Sequence, residues 1–279
     1  KVVRIPLTEL HPFPNHPFHV RDDEAMQNTV DSIKEYGVLT PGIVRPREDG
    51  GYEIVAGHRR KHGSELAGLS DMPCIVREMD DNTATILMVD SNIQREDILP
   101  SERAQAYKMK MEALKRQGAR SDLTSPQVAA KFRADDEVAK AAGVSGDTVR
   151  RFVRLTELQP ELQQMVDDKK IAMTPAVELS YLKPEEQQML LTAIDSEQAT
   201  PSLSQAQRMK KLSQAGKLND DTMLDIMMEQ KKPEKCELTF SGDVLRKYFP
   251  RSYTPQRMQE TIIKLLEAWV KKRQRDHER

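Results

Sequence analysis

The stretch IVAGHRRKHGSELAGL, residues 54–69, joins a short apolar run to a charged helical segment through one glycine. The apolar residues up to Ala56 predict a buried strand, and helical spacing begins after Gly57 and lasts until Gly68. A second apolar run lies upstream around Ile43, separated from the first by a glycine-containing turn. We therefore expect two paired strands followed directly by a helix.

The rest of the first 80 residues mixes strand and helix periods in the same way. The alternation of residues 3–5 predicts a strand, and the stripe along residues 26–36 predicts a helix that ends at Gly37. Another strand is expected at residues 72–77. The predicted fold class is α+β, beginning with a small mixed α/β domain.

Helix signals dominate from Asn82 onward. Pro100 to Gln117 predicts a new helix with Ser101 as its N-cap, and residues 118–125 are polar, typical of a flexible joint. The first domain is therefore expected to span residues 1–118.

Short helices punctuated by glycine and proline predict an all-α domain over residues 119–230. A Lys/Pro/Glu linker follows at residues 230–235, and a small helical region is expected over residues 236–279. Its amphipathic helix carries one apolar face, made of Met258, Ile262, Leu265, Leu266 and Trp269. This helix could serve dimerisation or pack within its own small domain.

Composition limits the function classes. Hydrophobic residues make up 38% and aromatic residues 5%, which suits a helix-rich protein rather than a sandwich or barrel. A net charge of -1 creates no global positive field, so any nucleic-acid surface must come from local clustering. Cys74 and Cys236 form no disulfide framework, and no apolar run predicts a membrane span or signal peptide. We expect a cytoplasmic protein without a membrane partner.

The start of the helix after Gly57 has the outline of an anion site. Free backbone N–H groups at the helix start would lie beside the guanidinium groups of Arg59 and Arg60. Glycine permits close backbone approach, and the planar arginine fork matches phosphate oxygens. The alternative is a solvated first helical turn. His58 beside these arginines indicates a neutral structural partner rather than a catalytic group.

Two further clusters accompany this site. SNIQRED at residues 91–97 places amide and charged side chains after an apolar helix, and Thr40-Pro41-Gly42 lies between a helix and a strand. Each is alternatively an ordinary polar helix end or turn. Together they could supply the ribose, base and metal-side contacts of a nucleotide.

A helix-turn-helix is predicted further along the chain. Residues 135–142 form the first helix, Gly143 takes the turn, and Ser145 caps a second helix that runs to Leu155. The predicted exposed face of the second helix carries Asp147, Thr148, Arg150, Arg151 and Arg154. The alternative is a helical hairpin with a solvated basic face, but the coincidence of turn, cap and basic face favours double-stranded DNA.

Three ordered motifs, GVLTPGIVRP (37–46), IVAGHRRKHGSELAGL (54–69) and SNIQREDILPSERAQAY (91–107), resemble the ParB partition-protein family. The resemblance covers roughly residues 1–200. It implies a CTP pocket assisted by Mg²⁺, a homodimer that closes as a clamp on DNA, and a ParA-type ATPase as partner. It also implies association with the nucleoid and a role in segregating a chromosome, plasmid or mobile element.

The resemblance assigns roles to residues of this chain. Thr40, Pro41 and Gly42 would line the nucleotide, and Gly57, Arg59 and Arg60 would hold its phosphates, with His58 in the same pocket. Asn92 and Arg95 would lie on the metal and phosphate side of the nucleotide, with Asn92 as the metal ligand. Ser145, Thr148, Arg150, Arg151 and Arg154 would contact DNA.

Two positions depart from the family pattern, because His58 and Ser91 stand where the family commonly has glutamate. The missing carboxylates favour a nucleotide binder or slow switch over an efficient CTPase. Alternatives are a transcriptional regulator with a vestigial pocket, a sulfiredoxin-like reductase or a nuclease-like enzyme. The reductase hypothesis is weak, since Cys74 is expected in a strand away from the motif, and no two-metal carboxylate cluster is evident.

Overall fold

The computed structural model describes residues 1–95, 97–121, 134–229, 242–245, 247–250 and 252–277. The chain divides into two units, Lys1–Glu229 and Gln230–Arg279. The division at residue 118 that the sequence suggests stays a prediction. The predicted linker at residues 230–235 lies outside the described residues.

The first unit begins with a mixed five-stranded sheet in the order β1-β5-β3-β4-β2. Its strands are β1 Val2–Pro6, β2 Leu10–His11, β3 Gly42–Pro46, β4 Tyr52–Ala56 and β5 Asp71–Val76. β3 pairs antiparallel with β4 and parallel with β5, and β1 pairs antiparallel with β5. The predicted pair of strands and the predicted α+β class are confirmed.

The two faces of β4 enter two different cores. Ile54 is buried with Ile5, Met72 and Cys74 on one side of the sheet. Val55, the next residue, points to the opposite side and is fully buried, as strand alternation requires. Helices that follow in the chain pack on the Val55 side, so the sheet and these helices share apolar contacts.

The first helix, α1, spans Glu24–Tyr36 and is capped by Asp23, whose carboxylate accepts from the backbone N–H of Met26 at 2.8 Å. Its buried side chains are Met26, Val30 and Ile33, the predicted stripe. Gly37 ends the helix with a φ of 71°, a left-handed value that favours glycine.

Helices α2 His58–Leu66, α3 Asp81–Asp90 and α4 Pro100–Ser121 follow. The predicted role of Ser101 as N-cap is wrong, because α4 already begins at Pro100. Ser101 instead donates its backbone N–H and hydroxyl to the carboxylate of Asp167, at 2.9 and 2.5 Å. This contact joins residues 66 positions apart, which local sequence could not indicate.

Helix α4 also continues to Ser121 rather than ending at Gln117. A single interior glycine such as Gly118 costs only about 1 kcal/mol, which neighbouring helix-forming residues can offset. The first part of the predicted flexible joint is therefore helical, and residues 122–125 lie outside the described residues.

The predicted helix-turn-helix is formed by α5 Ala134–Ala142 and α6 Gly146–Arg154. Gly143 takes the turn with a φ of 68°. The Ser145 hydroxyl accepts from the backbone N–H of Thr148 at 3.1 Å, as an N-cap does. Val149 of α6 is fully buried in the core that also contains Val55.

Helices α7 to α11 complete the first unit around a separate apolar core that includes Leu162, Leu179, Leu190 and Met209. They are α7 Pro160–Asp167, α8 Met173–Leu179, α9 Pro184–Glu197, α10 Leu203–Gln214 and α11 Asp220–Met228. Proline opens α7 and α9, where its missing N–H leaves no helical hydrogen bond unmade.

The second unit contains α12 Gly242–Leu245 and α13 Pro255–His277. On α13, Met258 is buried, whereas Leu265 and Leu266 are 64% and 56% exposed. The side chain of Trp269, part of the predicted apolar face, lies outside the described residues. Within the described ranges, we find no helix whose length and apolar character would let it cross a membrane.

Candidate functional site

A cleft of about 170 Å³ forms where three segments of the first unit meet. They are the loop between β2 and α1, the start of α2, and the end of α3 with the residues after it. The lining residues are His16, Phe18, His19, Val20, Ala56, Gly57, His58, Arg59, Arg60, Ser91, Asn92 and Arg95. The structure thus brings the predicted anion site at residues 57–60 together with the predicted cluster at residues 91–95.

Gly57 connects β4 to α2 in a conformation with φ of 119°. A Cβ at this position would stand 3.3 Å from the Cα of Gly42 and 3.3 Å from Nη2 of Arg60. Glycine is needed here both for the backbone angle and for the close approach of the two strands. Because Gly57 has no side chain that could cap α2, the first backbone N–H groups of this helix lie at the cleft wall without a side-chain acceptor.

Arg60 points partly away from the cleft space. Its Nη1 donates to the carbonyl oxygens of Thr40 at 2.7 Å and Pro41 at 2.6 Å. Burial is the main influence on the guanidinium and lowers its pKa. Arg60 therefore holds Thr40 and Pro41 in place, and neither these two residues nor Gly42 lines the cleft.

The other two arginines of the cleft have acidic neighbours. Arg59, 22% exposed, lies 3.7 Å from the carboxylate of Asp23. Arg95 donates from Nε and Nη2 to Asp97 at 3.2 and 2.7 Å, and this contact is the main cause that lowers the pKa of the Asp97 carboxyl. Both arginines remain at the cleft wall, where an anionic ligand could compete for them.

Asn92 is fixed by its amide nitrogen, which donates to the carbonyl of Met88 at 2.9 Å. Its amide oxygen is the atom that could ligate a metal ion. Ser91 donates its hydroxyl to the same carbonyl at 2.8 Å. Among the described residues, no group of three or more His, Cys, Asp or Glu side chains could hold a metal ion.

Two histidines stack in the cleft. The ring centroids of His16 and His58 are 3.8 Å apart, and Nε2 of His58 accepts from the backbone N–H of Phe13 at 3.3 Å. Burial, with smaller contributions from His16 and Lys61, lowers the pKa of His58 to about 3. His58 is therefore neutral at physiological pH, in agreement with the structural role expected from the sequence.

Sequence reasoning missed the β2–α1 loop, which contributes His16, Phe18, His19 and Val20 to the cleft. The available signal was the segment HPFPNHPFHV at residues 11–20, where histidine, phenylalanine and proline crowd a loop. The loop reaches the cleft only through tertiary packing, which the local sequence does not indicate.

Cys74 lies in the strand β5, as expected from the sequence, and it is not among the residues that line the cleft. It pairs with Gly42 in the sheet and is fully buried. Burial raises the pKa of its thiol to about 11, although the charge of Arg60 opposes this shift. A buried thiol with a raised pKa is a poor nucleophile, which argues against a sulfiredoxin-like reductase.

On the helix-turn-helix, the basic side chains differ in how free they are. Arg150 forms ion pairs with both Asp135 and Asp147. Arg151 is exposed, and its Nη2 donates to the hydroxyl of Thr174 at 2.9 Å. The Thr148 hydroxyl lies 2.9 Å from that of Ser145.

Arg154 faces the protein rather than solvent. It donates to the hydroxyl of Ser180 at 3.1 Å and to the Ser180 carbonyl at 2.6 Å, and its guanidinium lies 4.2 Å from the ring centroid of Tyr181. The α6 surface available for a ligand is therefore carried mainly by Thr148, Arg150 and Arg151.

The fold and these two surfaces define a class of chain in which a small α/β cleft domain precedes a helix-turn-helix. The family model for the ParB N-terminal domain matches residues 1–93, and that for the ParB HTH domain matches residues 96–215. This chain belongs to the ParB family.

Two curated relatives support this assignment. The chain is 35% identical over 185 residues to the chromosome-partitioning protein Spo0J of Thermus thermophilus, covering 66% of this chain and 62% of the relative. It is 35% identical over 172 residues to the stage 0 sporulation protein J of Bacillus subtilis, covering 62% and 55%. The chain thus spans between half and two thirds of the length of these relatives.

Solved structures with some likeness include two of C-terminally truncated ParB from Caulobacter crescentus. The complex with the centromeric parS site has a TM-score of 0.46 at 25% identity, covering 75% of this chain and 98% of that one. The complex with CTP-gamma-S has a TM-score of 0.32 at 30% identity, covering 64% and 92%.

Proposed function

We propose that this chain is a site-specific DNA-binding partition protein whose cleft binds CTP and gates its hold on DNA as a clamp. The observation that carries the proposal is that one cleft unites a glycine-initiated helix start with Arg59 and Arg95. Free N–H groups, a positive helix end and arginine forks are the elements that bind polyphosphates. CTP is the nucleotide that membership of the ParB family implies.

The cleft is smaller than a typical small-molecule pocket. Its volume of about 170 Å³ lies below the roughly 300–1,000 Å³ of typical small-molecule pockets. We therefore expect the phosphates inside and the nucleoside beyond the rim, towards the loop of Thr40 and Pro41 that Arg60 holds in place.

Mg²⁺ would be held by the amide oxygen of Asn92 together with phosphate oxygens of the nucleotide, a ligand set that this ion accepts. When bound, the ion neutralises phosphate charge. The cleft residues His58 and Ser91 offer no carboxylate to assist it. We therefore propose that any CTP hydrolysis is slow, because Nε2 of His58 is already occupied by the N–H of Phe13.

DNA recognition is assigned to α6. Arg151 and Thr148 can reach base edges or phosphates, and Arg150 can join them when it exchanges its two carboxylates for phosphate. Duplex DNA carries dense negative charge, which favours this exchange. A homodimer and a ParA-type ATPase partner follow from the family resemblance and belong to the same proposal.

The test is nucleotide-dependent crosslinking of the whole chain on closed circular DNA carrying its binding site, with CTP compared against ATP and GTP. We expect DNA retention with CTP alone, and loss of this retention in Arg59→Ala. Arg4→Ala is the matched control, since Arg4 lies on the edge strand β1 and pairs with Asp71 of β5. Equal retention with and without CTP would overturn the clamp proposal.

A second candidate is a transcriptional regulator whose pocket is vestigial. It is favoured by the engagement of Arg60 and Arg95 with protein acceptors and by the small cleft volume. This candidate predicts that Arg59→Ala and the wild type bind the DNA site equally and that neither responds to CTP.

A further inference from the structure

The protonation state of His16 is fixed by its neighbours. Its Nδ1 lies 2.8 Å from the carbonyl oxygen of Phe18. A carbonyl oxygen only accepts, so Nδ1 carries the proton and Nε2 is left with a bare lone pair. Nε2 is buried and has no hydrogen-bond partner within the described part of the chain.

A buried polar atom without a partner is destabilising, and in a cleft wall it indicates an atom that a ligand completes. The lone pair of Nε2 would repel an anionic oxygen. The same nitrogen with a proton would instead donate a charge-assisted hydrogen bond to that oxygen. The chemistry of the ligand therefore decides which form is stable.

Burial favours the neutral form of His16, and the polar and charged groups around it act in both directions. Burial is the largest influence and lowers its pKa, and nearby His19 and Arg95 act in the same direction. The hydrogen bond to the Phe18 carbonyl and the charge of Glu102 oppose this shift. The stacked ring of His58 is itself neutral, and Arg59 and Arg60 of α2 line the same cleft. An arriving polyphosphate reverses this balance, because it brings several negative charges beside the ring.

We propose that His16 is a phosphate-binding residue of this cleft and takes up one proton from solvent at Nε2 when a polyphosphate binds. Ligand and proton then bind together. This inference rests on the proposed nucleotide function and adds a residue to it. Nothing in the motifs around residues 57–60 and 91–95 indicated this role.

The test is isothermal titration calorimetry of the whole chain with CTP and, separately, with inorganic tripolyphosphate. Each titration is made between pH 6 and 8 in two buffers of different ionisation enthalpy. We expect uptake of up to one proton. The affinity should rise by at most about tenfold for each unit by which the pH falls. Binding enthalpies that do not depend on the buffer would overturn the inference.

His16→Gln is the informative variant, because its amide nitrogen can donate to phosphate without protonation. We expect it to bind tripolyphosphate while losing the proton uptake. His62→Gln is the control, since His62 pairs with Asp22 and does not line the cleft. Proton uptake that persists in His16→Gln would assign the proton elsewhere and overturn the inference. If this variant does not fold, an NMR titration of the His16 ring in the wild type decides.

The two proposals fail separately in this design. Proton-linked binding of tripolyphosphate without any binding of CTP overturns the nucleotide function and leaves the role of His16 intact. Binding of CTP without proton uptake overturns the role of His16 and leaves the nucleotide function intact. Binding of neither ligand overturns both.

Discussion

Gly57 lies so close to Gly42 that a Cβ added to Gly57 would stand 3.3 Å from the Cα of its neighbour. This approach places the end of β4 beside the start of β3. It also lets Arg60 fold back over Gly57 to reach the carbonyls of Thr40 and Pro41. The cleft therefore depends on the absence of two side chains as much as on the arginines that line it.

Gly57→Ala should destabilise the protein by about 2 kcal/mol or more, because it adds backbone strain at a φ of 119° and contact with Gly42. It should also abolish CTP binding. Gly68→Ala is the matched control: φ is 77° there, and nothing lies within 4 Å of the added Cβ. Urea denaturation and calorimetry measure both effects. Equal losses in the two variants would contradict the importance of the close approach.

The low pKa of His58 makes the stability of the folded protein depend on pH. The folded-state pKa of His58 is about 3, below its usual 6.5, so the unfolded chain binds more protons between these values. Stability from this group is full above pH 6.5 and is lost as pH falls, on the order of 3 kcal/mol by pH 4. In His58→Gln, the free energy of unfolding measured with urea should change less over this pH range than in the wild type. An unchanged slope in His58→Gln would show that other groups cause it.

A carboxylate at position 58 should speed CTP turnover. His58→Glu restores the residue type common in the ParB family, and a positioned base contributes about 10²–10⁴-fold in enzymes. We expect at least a tenfold rise in phosphate release, measured with closed DNA present. His58→Gln should show no rise. Equal rates for both variants would indicate that position 58 does not limit hydrolysis.

The arginines of α6 should separate into two groups. Arg151→Ala should weaken DNA binding with little loss of protein stability. The dependence of DNA affinity on salt concentration should fall by the amount expected for about one lost phosphate contact. Arg154→Ala should cost about 1–3 kcal/mol of stability, because it removes the bonds to Ser180. Fluorescence anisotropy and thermal unfolding measure the two effects. The reverse pattern would contradict the orientation of these side chains.

Arg150 should become a better DNA ligand when one of its two carboxylates is removed. Asp147 is exposed and pairs with Arg150, and Asp147→Asn should tighten DNA binding several-fold. Asp168→Asn, a charge-matched change at the end of α7, should have a smaller effect. Salt-dependent anisotropy measures both, and no difference between the variants would refute this role of Asp147.

Local features of this protein were determined by the sequence itself. The cap at Ser145 and the turn at Gly143 depend on interactions within a few residues, so residue type and spacing indicate them. The apolar stripe of α1 and the alternation of β4 follow from the helix and strand periods.

Only the tertiary structure decided which polar side chains face the cleft and which face the protein. Arg60 and Arg154 resemble free cations in the sequence, yet they bind carbonyls 20 and 26 positions away. His16 enters the cleft by stacking on His58, and Ser101 bonds Asp167 instead of capping α4. Such contacts join residues distant along the chain, and they form only when packed elements bring donors to acceptors that burial would otherwise leave unpaired.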